Sequence, residues 1–468
     1  MAISRTDSTR DMDPFFSPHA VALVGASADP KKLGNSIMAN LVKSSVRVYP
    51  ISRTPGRVMG VETYSSLTQL PETVDLVIVA VDAKNCPGLI PDIRRSGARC
   101  AVVVSGGFSE TGSEGTRLEE SLVRAARDSK VRLIGPNCVG VLNTRLFNGT
   151  FTIMPERGNI AFVSQSGALG GASIYTTQAR RIGLSKFASI GNAADIEIGE
   201  VLDYFREDAD STVIAVYIEG IKEGRKLYES LRNASREKPV VVLKGGRSES
   251  GNTAVKSHTG SLAVSTAVFT GMLRQAGCVT APTLDTLFEL CKIFDYQPLP
   301  KGRNVCIITN TGGAGVLAAD AVSDLGLTMS TLSQKTRHEI SSAFSPLASV
   351  DNPIDLLATG ARWEYRVATE QILRDSSVDM LLEICVVPTF AGMTQVEHAE
   401  GLLEGVRAAG VQKPVVGVWL AGSVGKPGKD LLESNRIPCY DDPSLAALCL
   451  ARAADYAQFR RPSVRDTS

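Results

Sequence analysis

Residues 254–263 read AVKSHTGSLA and contain His258, one of four histidines in 468 residues. An imidazole acts as a nucleophile when one ring nitrogen is neutral and a partner fixes the other. The chain around His258 suits that use. From Lys244 to Gly260 it is poor in apolar residues, rich in glycine, serine and threonine, and carries Lys244, Arg247 and Lys256. Such a loop can swing a side chain and tolerate negative charge on it. The other histidines offer no such setting. His338 (KTRHEI) and His398 (QVEHAE) lie in polar helical stretches and His19 follows a proline near the N-terminus, so all three are expected to be ordinary solvated side chains.

The usual partner for such a ring is a carboxylate. Glu219 ends the apolar run IAVYIEG, where its charge would face the C-terminal crevice of a sheet. Asp195, Glu197 and Glu200 in NAADIEIGE are competitors, although that cluster reads more naturally as the cap and first turn of a helix.

Two turns have the composition of oxyanion sites. VSQSGALG sets Ser164, Gln165, Ser166 and Gly167 between a strand and a helix, where hydroxyls and free backbone amides suit a phosphate-like group. The hydrolase pattern GxSxG lacks its first glycine here. TNTGGAG sets Thr311, Gly312 and Gly313 in a corresponding place, and two such turns could aim their helix dipoles at one anion.

A third group of loops suits a nucleotide. The first strand ends in VGASADPKKLGN, with Gly25, Ala26, Ser27, Lys31, Lys32 and Gly34. VAVDAKN, SGGFSE (Ser105, Gly106, Gly107) and GPNCVG (Pro136, Asn137) follow later strands, and in an open α/β sheet such ends converge on one crevice. The GxGxxG fingerprint is absent. The 46–52 strand ends in Ser52 and Arg53, not in the acid that binds ribose hydroxyls, so NAD is not expected and a dehydrogenase reading fails.

The elements that must position these residues repeat one phrase: a β-branched run, a turn of small residues, then an amphipathic stretch. Strands are predicted over 20–27, 46–52, 75–81, 100–108, 131–137, 159–167, 213–220, 239–246, 304–313, 380–387 and 414–420. Continuous apolar strands alternating with helices imply parallel sheets covered on both faces, hence a doubly wound α/β fold. The polar stretch 143–159 and the segment DYQPLPKGRN (295–304) punctuate the chain. Three domains are expected at 1–145, 150–297 and 302–460, the second and third opening alike.

Composition excludes several classes. With 43% hydrophobic and 21% charged residues and a formal net charge of +1, nothing global points to nucleic acid or a membrane surface. No apolar run approaches the roughly 18 residues that span a bilayer. The N-terminal MAISRTDSTRDMDPFF has no signal-peptide core and reads as a short polar arm. Nine cysteines form no CxxC pair or Cys/His cluster, and several, such as Cys306 and Cys385, sit in strand-like runs. Buried thiols in a reducing cytoplasm are expected, and no metal.

Taken together in order, these motifs resemble the α subunit of the NDP-forming acyl-CoA synthetases, the ADP-forming acetate–CoA ligases related to succinyl-CoA synthetase. VGAS…KLGN, SGGFSE and GPNCVG look like its CoA-binding, Rossmann-like domain. VSQSGALG, IGN, YIEG and KSHTGSLA look like its phosphohistidine domain, and TNTGGAG with DNPIDL like a second flavodoxin-like ligase domain. The resemblance implies a reversible reaction of a carboxylic acid, CoA and ATP through an acyl phosphate and a phosphohistidine. It implies that His258 is phosphorylated and Glu219 orients it, that Ser164–Gly167 and Thr311–Gly313 cradle phosphate, and that loops 25–34, 105–108 and 135–140 hold CoA. No ATP-grasp domain or P-loop is recognisable here. ATP or ADP with Mg is therefore expected on a separate ATP-grasp β subunit, in an α₂β₂ assembly or similar. A CoA-binding regulatory or scaffold protein that has lost catalysis is the alternative, disfavoured by the joint presence of His258, Glu219 and both turns. The acid itself is not readable from the sequence.

Overall fold

Every apolar run predicted as a strand forms one, because β-branched side chains pack on a pleated surface buried on both faces. The computed structural model describes residues 11–461 except 252, 254, 256–264, 345–347, 388–395 and 421. Its main strands make three sheets. The first runs Arg47–Ile51, Ala20–Val24, Leu76–Val79, Cys100–Val103, Arg132–Ile134, all parallel. The second has the parallel order Val279–Thr280, Val240–Lys244, Val213–Ile218, Arg157–Ser164, Leu184–Ser189. The third runs Thr328–Met329, Asn304–Thr309, Met380–Cys385, Val415–Trp419, Cys439–Tyr440. Counted along the chain within each sheet, all three have the order 2-1-3-4-5. Each therefore reverses direction between its first and third strands, the point where an open α/β sheet leaves a crevice.

The chain divides into two compact units, Met1–Cys291 and Lys292–Ser468. The first contains two of the sheets, and side chains from both, such as Val21, Ile78, Ala161 and Val216, belong to one continuous buried cluster. Three features join them. The stretch expected to separate two domains contributes Val141–Asn143, antiparallel to Leu184–Ser189, and Phe147–Asn148 beyond it, so it extends the second sheet. The N-terminal segment is not a free polar arm: Met12, Phe15 and Phe16 are buried, and Phe16 stacks on Tyr204 at 4.8 Å. Third, residues 192–196 lie along the end of the first sheet's edge strand. Asn192, Ala194 and Ile196 donate backbone hydrogen bonds to the carbonyls of Pro136, Gly135 and Leu133 at 3.0–3.2 Å. An open sheet edge is thereby covered.

Two buried polar networks mark where sequence pattern understates burial. Lys186 lies in a strand that the alternating LSKFAS conceals, and is 2% exposed. It donates to Asp208 at 2.7 Å, beside a Ser185–Ser211 contact. His398, expected in solvent, is also buried. Its Nε2 donates to the Gly360 carbonyl at 2.8 Å, Nδ1 lies 3.3 Å from the Cys385 thiol, and its ring packs on Tyr365 at 4.5 Å. Burial holds its pKa below the usual imidazole value.

Glu383 is the group least compatible with its surroundings. It sits mid-strand between Ile308 and Gly417, is 0% exposed, and neither carboxyl oxygen meets a donor in hydrogen-bonding geometry. Burial raises its pKa to about 8, only partly offset by the Trp419 indole nearby. The native state thus keeps a proton that the unfolded chain, at about 4.5, has released. The stabilisation is complete below about pH 4.5 and is lost as pH rises to about 8. The unfolding free energy of the second unit should fall by about 1 kcal/mol per pH unit across that window and level off above it. Denaturant titrations from pH 5 to 9 measure this, and Glu383→Gln should flatten the slope.

Candidate active site

The larger cleft lies at the reversal point of the first sheet. The first strand turns at Gly25, whose φ of +95° lets it pass the Ala80 carbonyl, and Gly34 starts the Leu33–Leu41 helix against it. A Cβ on Gly34 would stand 2.0 Å from the Gly25 carbonyl oxygen, so only two glycines allow this approach of helix to strand. The side chain of Asn35 fastens the turn by donating to Ser27 O at 3.0 Å. The resulting space, about 1090 Å³, is of nucleotide-cofactor size. Gly25, Ala26, Ser27, Lys32, Gly34, Ser105 and Gly106 line it, together with Arg53 and Arg57. Lys31, Gly107 and Pro136 are not among its lining residues.

Asn137 goes elsewhere. It lines a smaller cleft, of about 50 Å³, at the reversal point of the second sheet, with Ser109, Glu110, Gln165, Ser166, Gly167, Gly191, Asn192, Glu219, Gly220 and Lys222. The turn VSQSG builds one wall. Ser164 Oγ donates to Ser166 O at 2.7 Å, and Ser166 caps the Gly167–Ala179 helix by accepting from Leu169 N at 3.4 Å. Gln165 Oε1 accepts from the backbone amides of Glu219 and Gly220 at 2.8 and 3.0 Å, fixing the end of the third strand beside the helix N-terminus. The Glu219 carboxylate accepts from Tyr217 OH at 3.1 Å, and Lys244 Nζ donates to Glu219 O at 2.7 Å. Burial and the neighbouring Glu219 carboxylate raise the Tyr217 phenol above its usual range. Burial lowers Lys244 against the opposing pull of Glu219.

The opposite wall comes from the first sheet's loops. Asn192 Oδ1 accepts from Asn137 Nδ2 at 3.2 Å, while Asn192 Nδ2 reaches Ser109 Oγ, Glu110 Oε2 and Glu119 Oε2 at 3.1, 2.7 and 2.8 Å. Glu110 in turn accepts from the Gly107 and Phe108 amides, closing the 105–110 loop on itself. Burial would raise the pKa of Glu110, but the hydrogen bonds from Asn192 and these amides outweigh it and hold the pKa below its usual value. The loop that carries Ser105 and Gly106 into the larger cleft thus carries Glu110 into the smaller one. A helix N-terminus, free amides, a cation and two carboxylates in a small polar cleft equip it to receive an oxyanion and to orient a reacting partner.

His258 lies outside the described residues, as does Lys256. The competing acids are otherwise engaged: Asp195 pairs with Arg132 at 3.0 Å and accepts from Leu133 N, Glu200 pairs with Arg132, and Glu197 caps the Ile198–Glu207 helix. In the second unit Thr311 occupies the N-cap position of the Gly312–Asp324 helix without a side-chain cap bond, and the residues before it repeat the local design of the first. Thr309 Oγ1 donates to Thr311 O at 2.9 Å, and the side chain of Asn310 bonds both backbone groups of Val386, at the same place relative to its strand as Glu219. Sequence reasoning passed over Glu110, Asn192, Lys222 and Tyr217. The signal available was their position just after, or on, a strand that ends at the same crevice.

Among the described residues no group of three or more His, Cys, Asp or Glu side chains could hold a metal, and no helix is long and apolar enough to cross a membrane. All nine cysteines are free.

Three protein-family models match the chain in order: a CoA binding domain over residues 19–144, a succinyl-CoA ligase like flavodoxin domain over 157–294 and a ligase-CoA domain over 305–456. The α subunit of the ADP-forming acetate–CoA ligase II of Pyrococcus furiosus is 43% identical over 448 residues, covering 95% of this chain and 97% of that one. The ADP-forming acetate–CoA ligase I of Archaeoglobus fulgidus is 35% identical over 450 residues, 96% of this chain but 64% of that longer protein. Among solved structures, the dinucleotide-forming acetyl-coenzyme A synthetase 1 of Ca. Korarchaeum cryptofilum in complex with phosphate and ADP superposes with a TM-score of 0.91 at 35% identity, covering 96% of this chain and 97% of that one.

The junction between the two walls depends on Gly191, at φ +54° with the space for a Cβ only 2.2 Å from the Pro136 carbonyl oxygen. Gly191→Ala should cost at least about 2 kcal/mol of unfolding free energy in the first unit. Chemical denaturation checks this, and a loss below about 0.5 kcal/mol would mean that the junction yields without strain.

Proposed function

The chain belongs to the ADP-forming acyl-CoA synthetases, alongside the acetate–CoA ligase α subunits, and we propose that its two clefts carry out successive steps of the reaction of that family. The observation that carries this reading is the 105–110 loop, shared by a cofactor-sized cleft and a small oxyanion cleft. CoA occupies the larger cleft. Its pyrophosphate lies against the N-terminus of the Leu33–Leu41 helix, and its thiol is carried along the loop to the smaller cleft. There an acyl phosphate is held by the amides after Ser166 and by neighbouring polar side chains.

In the forward direction the phosphoryl group of phosphorylated His258 passes to the carboxylate of the acid, breaking the N–P bond and forming the acyl phosphate. The CoA sulfur then attacks the acyl carbon, the thiol proton is lost, and inorganic phosphate leaves. Glu219, held by Tyr217 and by the Gln165 clamp on its backbone, accepts the ring N–H of His258. It thereby fixes the other nitrogen for phosphoryl transfer. The acid is a small carboxylate such as acetate, a reading supported by the acetate–CoA ligase relatives. The nucleotide and its Mg belong to a separate ATP-grasp β subunit, in an α₂β₂ assembly. The 43% identity to a protein named as an α subunit supports that arrangement. A cytoplasmic setting fits the nine free thiols. No observation favours an inactive scaffold.

The test is incubation with the β partner, acetate, CoA and γ-labelled ATP. Wild type should acquire an acid-labile label and His258→Ala should not, and label persisting on that variant would refute the assignment. Glu219→Gln should slow phosphoryl transfer by about 10²-fold or more while leaving CoA affinity unchanged. Single-turnover labelling and titration with CoA read the two effects separately.

A further inference from the structure

An anion in the smaller cleft faces an electrostatic difficulty. Two carboxylates, Glu110 and Glu219, line it, and a helix N-terminus supplies only about half a positive charge. Lys222 is the sole cationic side chain among the described residues of the lining.

Its ammonium is held in place although its stem is exposed. Lys222 Nζ donates to Asn192 O at 3.0 Å and to Ala193 O at 2.8 Å. Those two carbonyls belong to a turn in which Gly191 (φ +54°) and Ala193 (φ +49°) are both left-handed. At Ala193 that conformation is strained, since its Cβ crowds the following carbonyl. The strain sits next to the cleft, and the turn it belongs to presents the two carbonyls to the ammonium. An ammonium carries three donors, and two carbonyls use two. Among the described residues these two carbonyls are the hydrogen-bond partners of the ammonium, so a third donor is available to a ligand.

We infer that Lys222 binds the phosphoryl group directly in the smaller cleft, as the cation that allows an anion to sit between Glu110 and Glu219. This rests on the synthetase reading of the cleft and adds to it a residue that discriminates phosphate from neutral ligands. The same turn sets its position: Asn192 holds the 105–110 loop with its side chain and Lys222 with its backbone carbonyl.

The experiment uses the chain assembled with its ATP-grasp partner, in wild-type, Lys222→Met and Lys222→Arg forms, and measures KM separately for inorganic phosphate, acetate and CoA. Loss of one charge-assisted hydrogen bond corresponds to roughly a tenfold rise in KM for phosphate. That rise is expected for Lys222→Met, with KM for CoA within about twofold and most of the loss restored by arginine. Four results would overturn the inference: an unaltered phosphate KM, a rise confined to acetate, no recovery in the arginine variant, or a parallel rise for CoA with a lowered midpoint. The last would make Lys222 a cap on the turn and nothing more. If wild type itself shows no phosphate-dependent turnover, the synthetase reading falls and this inference with it, an outcome distinct from failure of the variants alone.

Discussion

The site depends on a short run of backbone pairing between residues 192–196 and the end of the first sheet's edge strand. Three amide-to-carbonyl bonds, the Arg132–Asp195 pair and the close fit at Gly191 hold the strand-end loops of two sheets that already share one apolar core. Without that pairing the edge strand Arg132–Ile134 would be open, and the loops at the ends of the two sheets would have no fixed relation. With it, the reversal points of both sheets open on opposite sides of one loop. These few polar contacts add to the continuous apolar core that the two sheets share, and they fix where the two clefts lie.

The three sheets share more than their strand order. In the second and third, the residue after the first strand's hydroxyl-bearing end is an amide side chain, Gln165 or Asn310, that binds the backbone just beyond the third strand. This clamp fixes the distance between a helix N-terminus and the residue that follows the third strand. In one unit that residue is Glu219, and in the other it is Val386. The same local physics therefore presents a carboxylate in one case and an apolar side chain in the other.

Much of this was legible in the sequence. The long strands announced themselves through unbroken valine and isoleucine runs, and the glycine at 25, the serines at 164 and 166 and Glu219 could be placed at strand ends before any coordinates. What escaped was whatever distant partners decide. LSKFAS was not among the predicted strands, and its polar Ser185 and Lys186 find their partners Ser211 and Asp208 only in the folded chain. His398 looked solvated because its sequence neighbours are charged, whereas its burial is set by Tyr365 and Cys385. Asn137 was grouped with the cofactor loops because it follows a strand of the first sheet. Its contact with Asn192 draws it to the other side.

The shared 105–110 loop has a thermodynamic corollary. Ser105 and Gly106 line the larger cleft and Glu110 the smaller, and the Gly107 amide ties the two ends of this loop together by donating to Glu110. Any shift of that loop favoured by one ligand is felt by the other. Linkage requires the factor to be equal in both directions: by whatever ratio a ligand of the larger cleft alters the affinity of the smaller, the reverse ratio is the same. A single loop of six residues thus acts as the common term in two binding equilibria.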